Sequence, residues 1–462
     1  MMRKSTNARP HRAAAPLRAW TVLEWLTMGV LALLVSGCSL DDLLGTEKLP
    51  EDVTDPAITK TPQGALRAYY GTVTAFRRAY AANSGSALSV VALGGVFTDE
   101  LQYVGVLDEI QVVDMRDVPE SGGDFAYASL NKVRGQALQA IGLQKDYAPD
   151  SLVALTGHLY TLQAYAEIFL ADLYCSGIPL STLDYEGGYT FRPGSTTEQV
   201  YEHALALLDT ALTFTSDSVR FKHLAQVGRA RALLNLGRFD DAAEAVADVP
   251  DDFRYTVGYN AQSRNSFQVG GGTNQSWDYT VSDFEGINGL DYLSSGDPRV
   301  QTSPVPGASN TTVQHPAKYT TDGTSPILLA SGIEARLIEA EAALNAGDPT
   351  WLDKLNHLRQ TMWTTIVPAV GGPLPDLTDP GTDEARVDLL YRERAFWLFL
   401  TGQRQGDLRR LIRHYGRTQG EVYPVGTYLG APGLWYGLHT DFPVPESERV
   451  SNPHYDGCFS RN

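Results

Sequence analysis

Residues 389–410 read Leu-Leu-Tyr-Arg-Glu-Arg-Ala-Phe-Trp-Leu-Phe-Leu-Thr-Gly-Gln-Arg-Gln-Gly-Asp-Leu-Arg-Arg. At about 100° per residue, Leu389, Phe396 and Leu400 fall on one stripe of a helix. Glu393 lies inside that apolar stripe, and Arg404 extends it if the helix runs on past Gly402. A carboxylate among large apolar side chains is costly unless it is ionised and paired or hydrogen-bonded to backbone. The run itself offers Arg394, Arg404, Arg409 and Arg410 as partners, with Asp407 as a second anion. Two arrangements fit this pattern: solvated pairs along an exposed helix face, or a buried network.

The flanking sequence repeats a helical plan. Thr61 followed by Pro62 predicts an N-cap and first helical position, with Leu66, Tyr69, Tyr70, Val73 and Phe76 as the apolar face up to about Tyr80. Residues 124–145 and 150–174 predict a helical pair that Gly177 and Pro179 stop. Ser195 and Glu198 have the spacing of a capping box, opening a helix through Tyr201, Ala204 and Leu208. Residues 219–249, with Ala230, Leu233, Gly237, Phe239 and Ala242, predict a helix–turn–helix of the tetratricopeptide kind. Residues 333–359 repeat that plan around Gly347-Asp348-Pro349. The fold class expected is all-α, built of tetratricopeptide-like helical pairs.

Between these repeats the composition changes. Residues 251–328 are rich in Tyr, Ser, Asn, Gly and Thr without helical period, and residues 363–383 and 414–440 are similar in kind. A long aperiodic segment inside a compact protein is usually functional or disordered, and this aromatic content argues against disorder. The division expected is a helical scaffold over 61–250 and 329–413, with irregular ligand-facing segments over 251–328 and 414–462, in one domain from 61 to 462.

The N-terminus sets the compartment. Arg3, Lys4, Arg9, Arg12 and Arg18 precede a short apolar run from Trp25 to Val35, too short to span a bilayer comfortably. Its ending, Leu34-Val35-Ser36-Gly37-Cys38, has the form of a bacterial lipobox. Residues 1–37 then form a cleaved lipoprotein signal peptide, Cys38 is lipidated, and the acidic residues 38–60 form a tether to the body. Removing residues 1–37 takes away five basic and one acidic residue, leaving a mature chain near −21 from a full-chain charge of −17. That charge excludes nucleic acid as a partner, since nothing balances phosphate repulsion.

The 389–410 run resembles the C-terminal helix motif of the SusD/RagB family of outer-membrane nutrient-binding lipoproteins, roughly Glu-Arg-x-x-Glu-Leu-x-x-Glu-Gly-x-Arg-x-x-Asp-Leu-x-Arg. Glu393, Arg394, Gly402, Arg404, Asp407, Leu408 and Arg410 stand at matching positions. Trp397 and Thr401 stand where the family has acids, which implies a thinner ion-pair network here. Further matches follow in family order: Gly177-Ile178-Pro179-Leu180, then Glu334, Leu337, Ile338, Ala340, Glu341 and Ala342, then Leu355, Asn356 and Arg359, and finally Phe442-Pro443-Val444-Pro445 with Glu448 and Asn452-Pro453. The resemblance spans nearly the whole mature chain. It implies a SusD-like α/α superhelix on the outer-membrane surface of a bacterium, delivering a nutrient to a SusC-like, TonB-dependent transporter.

No catalytic constellation stands out. The nine His residues lack metal-ligand spacing, no Gly-x-Ser-x-Gly elbow occurs, and Gly270-Gly271-Gly272 lies in a polar loop away from any strand–helix junction. The expectation is a binder that is not an enzyme and that uses no metal or cofactor. Flat aromatic rings suit sugar faces, so an oligosaccharide is the expected nutrient, with Trp277, Tyr279, Trp435 and Tyr436 as candidate contacts. The competing reading is a helical-repeat lipoprotein scaffold that binds proteins and no nutrient. With Cys38 committed to lipid, Cys175 and Cys458 remain in an oxidising setting. Either they form a disulfide, the expected outcome, or they are two buried free thiols.

Overall fold

The computed structural model describes residues 60–83, 88–119, 124, 126–183, 189–270, 276–431 and 433–460. The expected signal peptide, Cys38 and the tether as far as residue 59 lie outside the described residues. Residues Ala57–Asn462 form one compact unit.

The helical pairs are present. Thr61 caps the helix Pro62–Ala81, its hydroxyl accepting from Gly64 N–H at 3.0 Å, so an otherwise orphaned donor is satisfied. That helix packs on Tyr127–Tyr147, which packs on Val153–Leu173, which packs in turn on Thr197–Phe214. Val153–Leu173 is buried almost all round, as a helix at the centre of an array must be. The series continues through Val219–Asn235 and Phe239–Val246, then through Gly332–Asn345 and Thr350–Thr361. Phe239–Val246 packs directly on Gly332–Asn345, so the scaffold closes behind the segment between them. Among the described residues, no helix is long and apolar enough to cross a membrane.

Three details differ from expectation. The capping box is formed by Thr196 and Gln199, each side chain bonded to the other's backbone N–H at 3.2 and 2.9 Å. Ser195 instead pairs with Ile178 in a short ribbon, which fixes the cap one residue later. The 251–328 segment also holds regular structure. Arg254–Val257 pairs antiparallel with Ile327–Ser331, Tyr279–Val281 pairs with Leu101–Tyr103, and Thr302–Pro306 forms a hairpin with Thr312–Pro316.

The third difference concerns residues 389–410. The helix ends at Trp397 and a second begins at Arg404, running Asp383–Trp397 and Arg404–Tyr415. Leu400 and Gly402 between them have φ of 51° and 74°. Buried side chains satisfy the freed backbone: Glu100 accepts the Leu400 N–H at 2.7 Å, Tyr319 donates to the Leu400 carbonyl at 2.9 Å, Tyr80 to that of Thr401 at 3.0 Å, and Lys318 to that of Phe399. With the helix broken, the charges find partners elsewhere. Arg299 Nη1 and Nη2 donate to Glu393 at 2.7 and 3.0 Å, and Arg359 Nη1 adds a third bond at 2.7 Å. Arg404 forks onto Asp99 at 2.8 and 2.9 Å. Arg394 and Arg410 share Asp407, while Arg410 also holds Glu341 at 2.7 and 3.0 Å. These groups are buried, so the exposed-face arrangement is excluded, and the network is dense despite Trp397 and Thr401. Burial alone would push the Asp407 carboxyl up, but the Arg394 and Arg410 guanidiniums outweigh it and hold it at about 2.

Candidate functional site

Two neighbouring loops carry one group of exposed aromatic and aliphatic side chains. In residues 424–440, the Tyr428 N–H donates to Leu434 and the Tyr436 N–H to Gly426, closing a tight loop with Thr427 bridged to Trp435. The neighbouring loop joins it through Ile287 N–H donating to Val425. Trp435 is 66% exposed and Ile287 84%, with Leu429, Leu434 and Leu438 also presented to solvent. Large apolar groups left out together on ordered loops mark a contact surface.

The loop is held from beneath by buried polar groups. Arg116, fully buried, donates to the carbonyls of Pro424, Gly437 and His439 at 2.6, 2.7 and 3.1 Å. Its guanidinium also lies 4.9 Å from the Tyr423 ring centre. The Gly437 N–H bonds the Met115 carbonyl at 2.7 Å, and a Cβ at Gly437 would stand 2.3 Å from the Arg116 carbonyl oxygen, so only glycine allows that approach. Asp114 accepts from the Tyr428 hydroxyl at 2.6 Å and the Tyr103 N–H at 2.8 Å, and Glu285 accepts from the Tyr436 hydroxyl at 3.1 Å. Tyr428 and Tyr436 thus point inward, and the intervening chain turns Trp435 outward.

Burial pushes the Asp114 carboxyl up to about 7, against the pull of its Tyr428 and Tyr103 donors. Burial and then the Asp114 charge push Glu285 well above its ordinary value. The sign of the linkage follows. A carboxyl whose folded value lies above its unfolded value of about 3.9 contributes least penalty below pH 4, and its stability contribution falls as pH rises towards 7. Asp114→Asn keeps an acceptor and abolishes that titration. Its unfolding temperature is expected to gain on the parent between pH 5 and pH 8. Melting curves at both pH values check this, and a difference independent of pH would refute it.

The four candidate aromatic residues divide. Trp435 alone among them is widely exposed. Trp277, expected at a ligand, is only 2% exposed: its indole N–H donates to Ser266 at 3.2 Å, and its ring packs 4.8 Å from His315 and 6.2 Å from Phe267. The Thr302–Pro316 hairpin supplies the cover, with Trp277 bridged to Gly307. Tyr279 is partly buried beside it in the strand opposite Tyr103. Tyr436 is buried because Glu285 takes its hydroxyl. Asp114, Arg116 and Glu285 belong to no recognised motif. The one available signal was an acid and an arginine inside the apolar run Val112-Val113-Asp114-Met115-Arg116. The other cysteines, Cys175 and Cys458, are joined as a disulfide with Cα atoms 5.8 Å apart. Glu393, Arg394, Arg404 and Asp407 lie in the buried scaffold network, which reaches the Ile287 loop through Asp99, the acceptor of both Arg404 and the Leu290 N–H.

No protein-family model matches the sequence, and no curated protein matches it. Solved structures do. A SusD-like protein of Bacteroides fragilis superposes with a TM-score of 0.61 at 15% identity, covering 89% of this chain and 99% of that one. A SusD-like carbohydrate binding protein of Bacteroides vulgatus gives 0.62 at 15% identity over 86% and 97%. Surface glycan-binding protein A of Bacteroides uniformis gives 0.63 at 14% identity over 86% and 99%. The chain therefore has a SusD-like fold, with a tetratricopeptide-like helical scaffold.

Proposed function

We propose that this protein is a nutrient-binding lipoprotein, anchored through Cys38 in the bacterial outer membrane, that binds an oligosaccharide and delivers it to a TonB-dependent transporter. Binding, without catalysis, is the whole of the proposed activity. The observation that carries the reading is Trp435, a flat ring exposed on a loop that buried donors hold still, on a fold whose solved relatives include proteins described as carbohydrate-binding and glycan-binding. A preorganised ring loses little freedom when a sugar face packs on it. The aliphatic neighbours Ile287, Leu429 and Leu438 favour a second, protein-facing use of the same surface, since aliphatic side chains satisfy no sugar hydroxyls.

The test is a glycan and peptide binding screen on protein lacking residues 1–38. A glycan ligand is expected, and Trp435→Ala should weaken it at least tenfold while leaving the melting temperature within a few degrees. Trp277→Ala should instead lower stability, because it opens a cavity. A screen that yields only peptides, or a glycan affinity indifferent to Trp435, refutes the sugar assignment. Co-purification of a large β-barrel from detergent-solubilised outer membranes bears on the transporter, and its absence would favour the plain scaffold reading.

A further inference from the structure

A cavity of about 260 Å³ lies between the end of the Asp383–Trp397 helix, the Arg254–Val257 and Ile327–Ser331 ribbon, and the Thr365–Val367 turn. It shares no lining residue with the exposed loop surface. Much of its wall is apolar, from Leu328, Ile333, Ile366, Val367 and Phe396. Three cations reach it, Arg254, Arg299 and Lys318, and no Asp or Glu lines it among the described residues. Arg299 is already neutralised by Glu393 and Asp297 at 2.7 and 2.6 Å.

The other two cations differ. Lys318 donates to the Phe399 carbonyl, and burial pushes its ammonium down to about 7, with Glu100 opposing that shift and Arg254 adding to it. Arg254 lines the cavity, is exposed, and forms no ion pair among the described residues. Trp397 is 8% exposed, and its indole N–H meets no acceptor. A buried donor without a partner, and an ammonium whose burial Glu100 offsets only in part, are costly for the protein alone. An anion reaching both groups would lower that cost.

We propose that this cavity binds a small organic carboxylate with an apolar body. The carboxylate lies against Arg254 and Lys318, the Trp397 N–H supplies a further donor, and the apolar part packs on Ile333, Ile366 and Phe396. A guanidinium fork matches a carboxylate geometrically. Phosphate suits the site less, because it would leave its hydration shell for largely apolar walls. This site is additional to the nutrient reading and does not depend on it.

Titration calorimetry on the full-length protein in detergent, against a detergent blank, tests the proposal with benzoate, its neutral isostere benzamide, and inorganic phosphate. Benzoate is expected to bind at least tenfold more tightly than either control. Arg254→Gln should weaken benzoate at least tenfold and leave benzamide unchanged. Trp397→Phe, which removes little beyond the N–H, should weaken benzoate several-fold. Absence of benzoate binding, equal affinity for benzamide, phosphate binding as tight as benzoate, or full benzoate affinity in both variants would each overturn it.

Discussion

Glu393→Ala is expected to lower the stability of the protein by about 3–5 kcal/mol, the usual cost of removing one partner of a buried charge network. Glu393 is 2% exposed and accepts three bonds, two from Arg299 and one from Arg359. Removing the carboxylate leaves two largely buried guanidiniums without it. Asp297 still holds Arg299 at 2.6 Å, so the loss should fall most heavily on Arg359, whose other side-chain hydrogen bond among the described residues goes to the Pro375 carbonyl. Denaturant unfolding of parent and variant measures the effect. A midpoint unchanged within error would show that the pairs are not buried in solution. The double change Glu393→Leu with Arg359→Met should recover part of the loss, because apolar groups of similar volume avoid the unpaired charge.

Cys458→Ser is expected to cost about 3–5 kcal/mol. The disulfide to Cys175 closes a loop of 283 residues, and restricting the unfolded chain over that length corresponds to roughly 5.6 kcal/mol in the loop-entropy description. The measured loss should be somewhat smaller, since unfolded chains retain structure. The native contacts of the terminal segment do not depend on the bond. Phe442 N–H donates to Leu173 at 2.8 Å, Cys175 N–H to Phe442 at 2.8 Å, and Phe459 N–H to Ser176 at 2.7 Å. The variant should therefore fold to the same structure and unfold at lower denaturant. Alkylation of the unreduced parent supplies an independent check: labelling of Cys175 and Cys458 without reductant would remove the basis of the prediction.

The helical scaffold was legible because its signals are local. Caps, apolar period and the glycines that end helices act within a few residues, so Thr61 and Pro62, or Gly347 between two helices, could be read directly. Even the capping box was misplaced by only one residue, since Ser195 and Thr196 have the same chemistry and only the pairing of Ser195 with Ile178 separates them. Residues 389–410 were legible as unusual, but whether the helix runs on past Gly402 was left open, and it does not. The hydroxyls of Tyr80 and Tyr319 and the carboxylate of Glu100, all far away in the chain, satisfy the break and make it affordable.

By itself, the sequence determined the helical pairs, the placing of Glu393 on an apolar stripe and the order of motifs that resembles the SusD/RagB pattern. Tertiary structure alone decided which charge meets which. Arg299 lies 94 residues from Glu393, and no periodicity links an arginine in an irregular segment to a glutamate on a helix. It also decided that Trp277 is covered and Trp435 is not. Both lie in aromatic, aperiodic loops with no face of their own. Exposure there depends on what packs over the ring: a hairpin covers Trp277, whereas buried acids beneath Tyr428 and Tyr436 leave Trp435 pointing out.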